Sequence, residues 1–287
     1  MPTIHYHISD LRVALRPYRT AQRIALVPTM GNLHDGHLEL VKIAKQHADI
    51  VVVSIFVNPT QFGVGEDFDS YPRTLDEDVA KLAMVGADYV FAPTIDEMYP
   101  VLPPPTTILA GTITEQLCGK TRPNHFDGVG IVVSKLFNIV QPNIAVFGQK
   151  DYQQLAIIKQ LVRDLSYSID IIGAPIIRAT DGLALSSRNQ YLSESERQTA
   201  PILQQELQYS AKQISDNKQP LEVLLTAAHE RITSAGFIID YLEVKTTELT
   251  AVDDESINNH QDLVILVAAW LGRARLLDNR LVTINKV

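Results

Sequence analysis

The stretch RIALVPTMGNLHDGHLELVKIAKQHADIVVVSIFV, residues 23–57, decides the fold. Arg23–Pro28 is a short apolar run of strand length. His37–Ala48 then places Leu38, Val41, Ala44 and Ala48 on one helical face. Ile50–Val57 is a β-branched run that stops at Asn58-Pro59, where proline ends a strand. A strand, a helix and a second buried strand form one β-α-β unit. Such a unit predicts parallel pairing with a right-handed crossover.

The same alternation continues outward. Arg73–Val85 is predicted helical with acids near its start, and Tyr89–Ala92 is a short strand. An apolar helix over Val129–Val140, a strand over Ile144–Phe147, a helix over Tyr152–Leu165 and a strand over Ile169–Ile172 follow. The expected fold class is α/β, a doubly wound parallel sheet with helices on both faces. Ligands in such sheets bind beyond the carboxyl ends of the strands. After residues 178–186 the pattern changes. Two helical patterns run from Ser193 to Ala235, and strand-like runs follow at Ile238–Val244, Leu263–Ala269 and Arg275–Leu277. We therefore expect a first domain over 1–178 and a smaller C-terminal α+β domain over 179–287. Pro103–Pro105 reads as a rigid loop and not as a linker.

Composition narrows the function classes. The 287 residues carry a net charge of −8, which argues against a nucleic-acid partner held through phosphates. The single cysteine, Cys118, excludes an intramolecular disulfide and a thiolate zinc site, and fits a cytoplasmic protein. The N-terminus MPTIHYHISDLRVALRPYR has no apolar core of the kind a secretory signal needs, and the apolar runs are of strand length, so no membrane partner is expected.

Four segments carry chemistry, and each follows a predicted strand or turn. Pro28–His37 (PTMGNLHDGH) joins the first strand to the first helix. Gly31 and Gly36 permit close backbone approach, and the helix opening at Gly36–His37 is expected to offer free N–H groups to an anion. His34 and His37 stand three apart, so one helical turn sets both imidazoles on one side as donors to phosphate oxygen. A metal held by this pair lacks a convincing third ligand apart from Asp35. In Ser186-Ser187-Arg188-Asn189, hydroxyls and a guanidinium suit a triphosphate; taken alone the segment reads better as a solvated turn, and only its pairing with the histidine segment favours the functional reading. Phe147–Gln154 (FGQKDYQQ) supplies Lys150 as a phosphate cation, Asp151 as a helix cap, and Gln154 one turn on from Lys150. Phe56–Phe62 (FVNPTQF) supplies two amides, Asn58 and Gln61, suited to a hydroxy acid. Asp76-Glu77-Asp78 reads first as acids complementing a helix dipole, with magnesium a secondary role. Arg122, His125 and Asp127 read as a loop of mixed charge, either a pocket rim or equally a plain surface loop.

Six blocks, PTMGNLHDGH, SIFVNPTQF, YPRT, RPNHFDGV, FGQKDYQQL and DGLALSSRNQYL, together with the terminal LLDN, resemble the pantoate–β-alanine ligase family over nearly the whole chain. That family sits within the nucleotidylyltransferase superfamily, so the resemblance implies a Rossmann-like first domain and a C-terminal domain acting as a lid. It implies a two-step reaction. Pantoate attacks the α-phosphate of ATP to give pantoyl adenylate and pyrophosphate, and β-alanine then displaces AMP to give pantothenate. Carried over by position, Met30, Gly31, Asn32, Leu33, His34, Asp35, Gly36 and His37 line the ATP site, with His34 and His37 on phosphates and His37 as proton donor. Gly148, Gln149, Lys150 and Asp151 also bind nucleotide, Ile177 meets adenine through its backbone, and Leu185, Ser186, Ser187 and Arg188 close over the triphosphate. His34, His37, Lys150 and Arg188 are the implied catalytic set. Gln61 and Gln154, with Asn58, hold pantoate, and Gln61 also meets β-alanine.

Some positions depart from the family. Leu185 stands in place of methionine, a swap of similar apolar volume, and Asp35 replaces a more common glutamate. The implied magnesium region maps onto Glu77 and Asp78, but Lys81 stands where some members have a neutral amide, so Mg2+ is expected to be held chiefly by ATP and water. A homodimer is implied by the resemblance alone. A tRNA-charging relative would need an anticodon module and a basic surface, and a cytidylyltransferase would lack the two glutamines. A non-catalytic relative would have lost a histidine, Lys150 or Arg188.

Overall fold

The computed structural model describes residues 1–63, 65–216, 219–252 and 262–284. The chain divides into two compact units, Met1–Gln149 with Gln153–Pro175, and Ile176–Val287 with Lys150–Tyr152.

The first unit is built on a six-stranded parallel sheet. Its strands are β1 (Thr3–His5), β2 (Ile24–Thr29), β3 (Ile50–Ile55), β4 (Tyr89–Phe91), β5 (Ile144–Gly148) and β6 (Asp170–Ala174), in the order β1-β4-β3-β2-β5-β6. The chain builds leftward from β2 through β3 to β4, then returns to lay β5 on the other side of β2. The strand order therefore reverses between β2 and β5, the kind of place where such sheets open a crevice.

Side-chain alternation divides the sheet's two faces. Ala25, Val27, Val51, Val53, Val90, Ile144 and Val146 pack with Leu38, Val41 and Ala44 of helix α2 (Asp35–His47) and with Val79 and Leu82 of helix α3 (Leu75–Met84). Leu26 and Val52, one step along each strand, are equally buried but lie outside that cluster. Helix α6 (His125–Val140) packs on β2 and is tied to the N-terminal segment by Arg12 and Arg19, which donate to the carbonyls of Asn138 and Val140. Helix α1 (Ile8–Leu15) and the short helices α4 (Ile95–Met98) and α5 (Leu117–Thr121) complete this unit with α7 (Tyr152–Asp164).

Strand β1 has no counterpart in the sequence reading. It is three residues long and pairs only with β4, at Thr3↔Tyr89 through His5↔Phe91. Its stability comes from that distant partner and not from its own pattern. The helix expected over Val129–Val140 begins four residues earlier, so His125 and Asp127 lie in its first turn and not in a loop.

The second unit is α+β. Helices α8 (Glu194–Thr199), α9 (Ile202–Ser215) and α10 (Leu221–Ser234) precede an antiparallel sheet of β7 (Ile238–Thr246), β8 (Leu263–Leu271) and β9 (Ala274–Val282) in that order. Leu203, Leu207 and Ile214 of α9 and Leu224 and Ile232 of α10 bury against Leu263, Ile265, Val267 and Leu276. Glu206, buried on α9, accepts two hydrogen bonds from Arg231 of α10 at 2.7 and 2.8 Å, so its charge is paired as burial requires. Among the described residues, no helix is long and apolar enough to cross a membrane.

Candidate active site

The β2–α2 connection is shaped by its own histidines. His34 is the N-cap of α2, with extended backbone, and its Nδ1 accepts a hydrogen bond from the Gly36 N–H at 3.1 Å. His37, three residues on, returns its Nδ1 to the His34 N–H at 3.3 Å. The two rings lie 4.1 Å apart between centroids. This is a capping box written in imidazole where serine and glutamate are the usual pair. The expectation of free N–H groups here needs correction. The Gly36 N–H is held by His34 Nδ1, and the His37 N–H donates to the His34 carbonyl at 2.8 Å. The box satisfies the donors that an uncapped helix would have left open.

The caps also fix the tautomers. A backbone N–H only donates, so each Nδ1 must be the unprotonated acceptor. The proton of each neutral ring then resides on Nε2, which makes both adjacent rings N–H donors at that atom.

The loop between β2 and His34 is held from α3. Gly31 (φ 83°) and Asn32 (φ 51°) are successive left-handed residues. Asp78 accepts from the Asn32 N–H at 2.9 Å and the Leu33 N–H at 2.7 Å, and the Thr74 hydroxyl donates to it at 3.1 Å. Lys81 donates to the Leu33 carbonyl at 2.8 Å. Asp78 is 0% exposed, whereas Asp76 and Glu77 face solvent. The sequence pattern reads all three first as dipole-complementing acids; the buried Asp78 has the further task of holding this loop.

Beyond β3, the two amides separate in role. Asn58 is buried. Its amide nitrogen donates to Gln61 Oε1 and to the Gly128 carbonyl, both at 3.1 Å. Its oxygen accepts from the Tyr99 hydroxyl at 2.9 Å and the Thr60 hydroxyl at 3.0 Å. Burial pushes the Tyr99 phenol up, so it stays protonated as that donor. Asn58 is thus an internal hub and not an open recognition group. Gln61 is the presented amide, and its nitrogen donates to Met30 Sδ at 3.2 Å, joining the loops after β2 and β3.

The main chain of Gln61 is fixed as well. Its carbonyl accepts from His125 Nδ1 at 2.7 Å, so His125 carries its proton there and takes Arg122 at Nε2, 3.0 Å away. Arg122 grips Glu66 with two bonds of 2.7 and 2.6 Å. Burial alone would raise the Glu66 carboxyl. The hydrogen bonds and charge of Arg122 outweigh it, helped by the Gly63 backbone, and hold the group down at about 2. The loop expected at Arg122–Asp127 is therefore the bracket behind Gln61.

After β5, Gly148 ends the strand and the Gln149 N–H donates to the Ala174 carbonyl. Helix α7 opens only at Tyr152, so Lys150 precedes it and the expected one-turn relation with Gln154 does not hold. Gln153 is buried, bonded to the carbonyls of Ile113 and Gln116, while its neighbour Gln154 is part-exposed.

In the second unit, the Lys150 carbonyl accepts from Asn279 Nδ2 at 2.9 Å, and Lys150 Nζ lies 3.5 Å from Asp151. Arg178 pairs with Asp278 through two bonds of 2.6 and 2.8 Å. Leu185 N–H donates to the Ile177 carbonyl at 2.9 Å, closing a turn through Asp181-Gly182. Ser186 caps the following 3₁₀ turn by accepting from the Arg188 N–H at 3.3 Å, and Ser187 and Arg188 open that turn.

The family model for pantoate-beta-alanine ligase matches residues 3–281. The chain belongs to the pantoate–β-alanine ligase family. A pantothenate synthetase of Psychrobacter arcticus is 89% identical over 286 residues, covering 100% of this chain and 99% of that relative. One from Acinetobacter baylyi is 55% identical, with 95% of each chain covered. Among solved structures, the pantothenate synthetase of Thermus thermophilus superposes with a TM-score of 0.88 at 40% identity, covering 97% of this chain and 98% of that one. The ligase of Francisella tularensis, solved in complex with β-γ ATP and β-alanine, gives 0.82 at 35% identity, with 98% of each covered. The chain is thus a ligase of this family, and its α/β fold is that of the family's solved structures.

Proposed function

We propose that this ligase condenses pantoate with β-alanine by way of a pantoyl adenylate, and that the loops following β2, β3 and β5 carry the reactants. The observation that carries this reading is the pairing of His34 and His37 after β2, where the strand order reverses, with each Nδ1 accepting a backbone N–H so that Nε2 is left as the donor. In the first half-reaction a pantoate carboxylate oxygen bonds to the α-phosphorus of ATP while the bond to the bridging oxygen breaks and pyrophosphate leaves. Charge grows on the phosphate oxygens, and fixed N–H donors stabilise growing charge best when they need no reorganisation. His34 and His37 serve there, with His37 nearest the proton accounting. In the second half-reaction the β-alanine amine bonds to the acyl carbon, AMP departs with the bonding pair, and the amine gives up a proton.

Gln61 is the pantoate amide, oriented by Asn58 and Met30, and it also meets β-alanine; Gln154 is the second pantoate contact. We assign nucleotide contacts to the segment from Met30 to His37, to Gly148, Gln149, Lys150, Asp151 and Ile177, and to Leu185, Ser186, Ser187 and Arg188. Lys150 and Arg188 are the phosphate cations among them. The Francisella tularensis ligase, solved in complex with β-γ ATP and β-alanine, supports ATP and β-alanine as the reactants. Magnesium enters with ATP. Among the described residues no group of three His, Cys, Asp or Glu side chains is placed to hold a metal, and the buried oxygens of Asp78 are engaged by backbone N–H groups. A cytoplasmic homodimer is the working form in this proposal.

The test is product release from MgATP. Pyrophosphate should appear with pantoate alone, and AMP with pantothenate on adding β-alanine. Absence of pantoate-dependent pyrophosphate would refute the assignment of the acid.

A further inference from the structure

We infer that Asp78 and Lys81 are positioning residues for the adenylation step, a two-point clamp on Leu33 that holds the histidine loop in shape, and that Asp78 is not a magnesium ligand. The inference rests on the proposed role of His34 and His37.

Leu33 is gripped on both sides. Its N–H donates to Asp78 Oδ1 at 2.7 Å, and its carbonyl accepts from Lys81 Nζ at 2.8 Å. Asp78 and Lys81 stand three apart on α3, so one helical turn presents acceptor and donor together. The second Asp78 oxygen takes the Asn32 N–H at 2.9 Å. Asn32 has φ 51°, a conformation that side chains rarely adopt without a local partner, and a charge-assisted bond supplies one. Gly31 has φ 83°, which side chains rarely adopt, and a Cβ there would sit 3.0 Å from Asp78 Oδ2 and 3.1 Å from Ile55 Cγ2, so both would have to give way. The residue after Leu33 is His34, whose backbone opens α2 and whose ring begins the capping box. Loss of the clamp therefore frees the segment from which both donor rings are aimed.

The same geometry separates Asp78 from metal chemistry. Its carboxylate has no exposed surface, and its oxygens are occupied by two N–H groups and the Thr74 hydroxyl. A hydrated cation has no path to it. By occupying the N–H groups of Asn32 and Leu33 with an anion, Asp78 also denies them to phosphate and leaves that task to the rings.

The experiment uses Asp78→Asn and Lys81→Met in the full chain, with pantoate-dependent pyrophosphate release by the unaltered protein as the control for the underlying function. Asparagine offers one acceptor where two N–H groups need them. Its adenylation rate should fall about 100-fold, the scale of a misplacement near 1 Å. Lys81→Met removes one bond and should cost about 10-fold in rate, a smaller displacement of the same loop. In both, the magnesium concentration giving half-maximal rate should remain unchanged, and the imidazole 15N shifts of His34 and His37 should move away from the Nε2–H pattern of the unaltered protein. A half-maximal magnesium concentration raised tenfold in Asp78→Asn, with rate recovered at saturating metal, would make Asp78 a ligand and overturn the inference. Should Asp78→Asn not fold, Lys81→Met decides alone: unchanged adenylation and unchanged imidazole shifts would overturn the clamp. No pyrophosphate from the unaltered protein would instead count against the proposed function.

Discussion

Gly128→Ala tests whether the position of Gln61 matters as much as its chemistry. Gly128 lies in the first turn of α6, against the 3₁₀ turn Pro59–Gln61. A Cβ added there would lie 2.7 Å from the Gln61 nitrogen and closer still to the Thr60 carbonyl. These are backbone atoms and cannot rotate aside. Reaching the 3.4 Å of ordinary contact requires a retreat of about 0.7 Å at Gln61 and more at Thr60. The Gly128 carbonyl also receives Asn58 and Thr60, so the hub that orients Gln61 shifts with it. Overpacking of this kind costs about 1–3 kcal/mol of stability. A displacement approaching 1 Å at a substrate-positioning group costs about 100-fold in rate. Urea unfolding and steady-state kinetics with ATP, pantoate and β-alanine varied in turn would measure both. The expected pattern is a modest fall in stability and a large loss of kcat/KM for pantoate, with the KM for ATP changed several-fold less. A variant within about threefold of the original in kcat/KM for pantoate would refute the reasoning.

Two further perturbations follow from the same bracket. Gln61→Ala should weaken pantoate far more than ATP, by about 1–3 kcal/mol if a buried partner is left unpaired; equal effects on the two in equilibrium binding would contradict the assignment. Glu66, held at about 2 by Arg122 against an ordinary value of 4.5, contributes stability that is present above about pH 4.5 and lost as pH falls toward 2. Glu66→Gln should therefore show a shallower decline in urea midpoint between about pH 5 and pH 3, and parallel declines would rule that out.

Much of this molecule is legible in its sequence because local pattern and global fold agree. The β-α-β reading of residues 23–57 needs only periodicity, and the structure places β2, α2 and β3 within a few residues of it. What escapes depends on partners far along the chain. Strand β1 exists through β4, and Asp78 acts on a loop 45 residues earlier. The start of α6 is hidden by Gly128 and Gly130, which look like helix breakers but serve close packing, Gly128 on the Thr60 carbonyl and Gly130 beside Ile108. Asn58 and Gln61 look alike as amides at a strand end, and only burial separates the hub from the presented group. The histidine pair is legible in sequence as the donor site proposed above, but its duty as a cap is not, because capping is expected of shorter side chains.

That double duty bears on how substitutions at the pair are read. Each ring commits one nitrogen to the start of α2 and, in the proposed reaction, turns the other toward phosphate. An alanine at either position deletes both at once. A missing cap is worth about 1 kcal/mol, and here it would loosen the ground on which the neighbouring ring stands. The loss measured after removing one histidine therefore contains part of the other's contribution, and the two single losses will not sum to that of the pair.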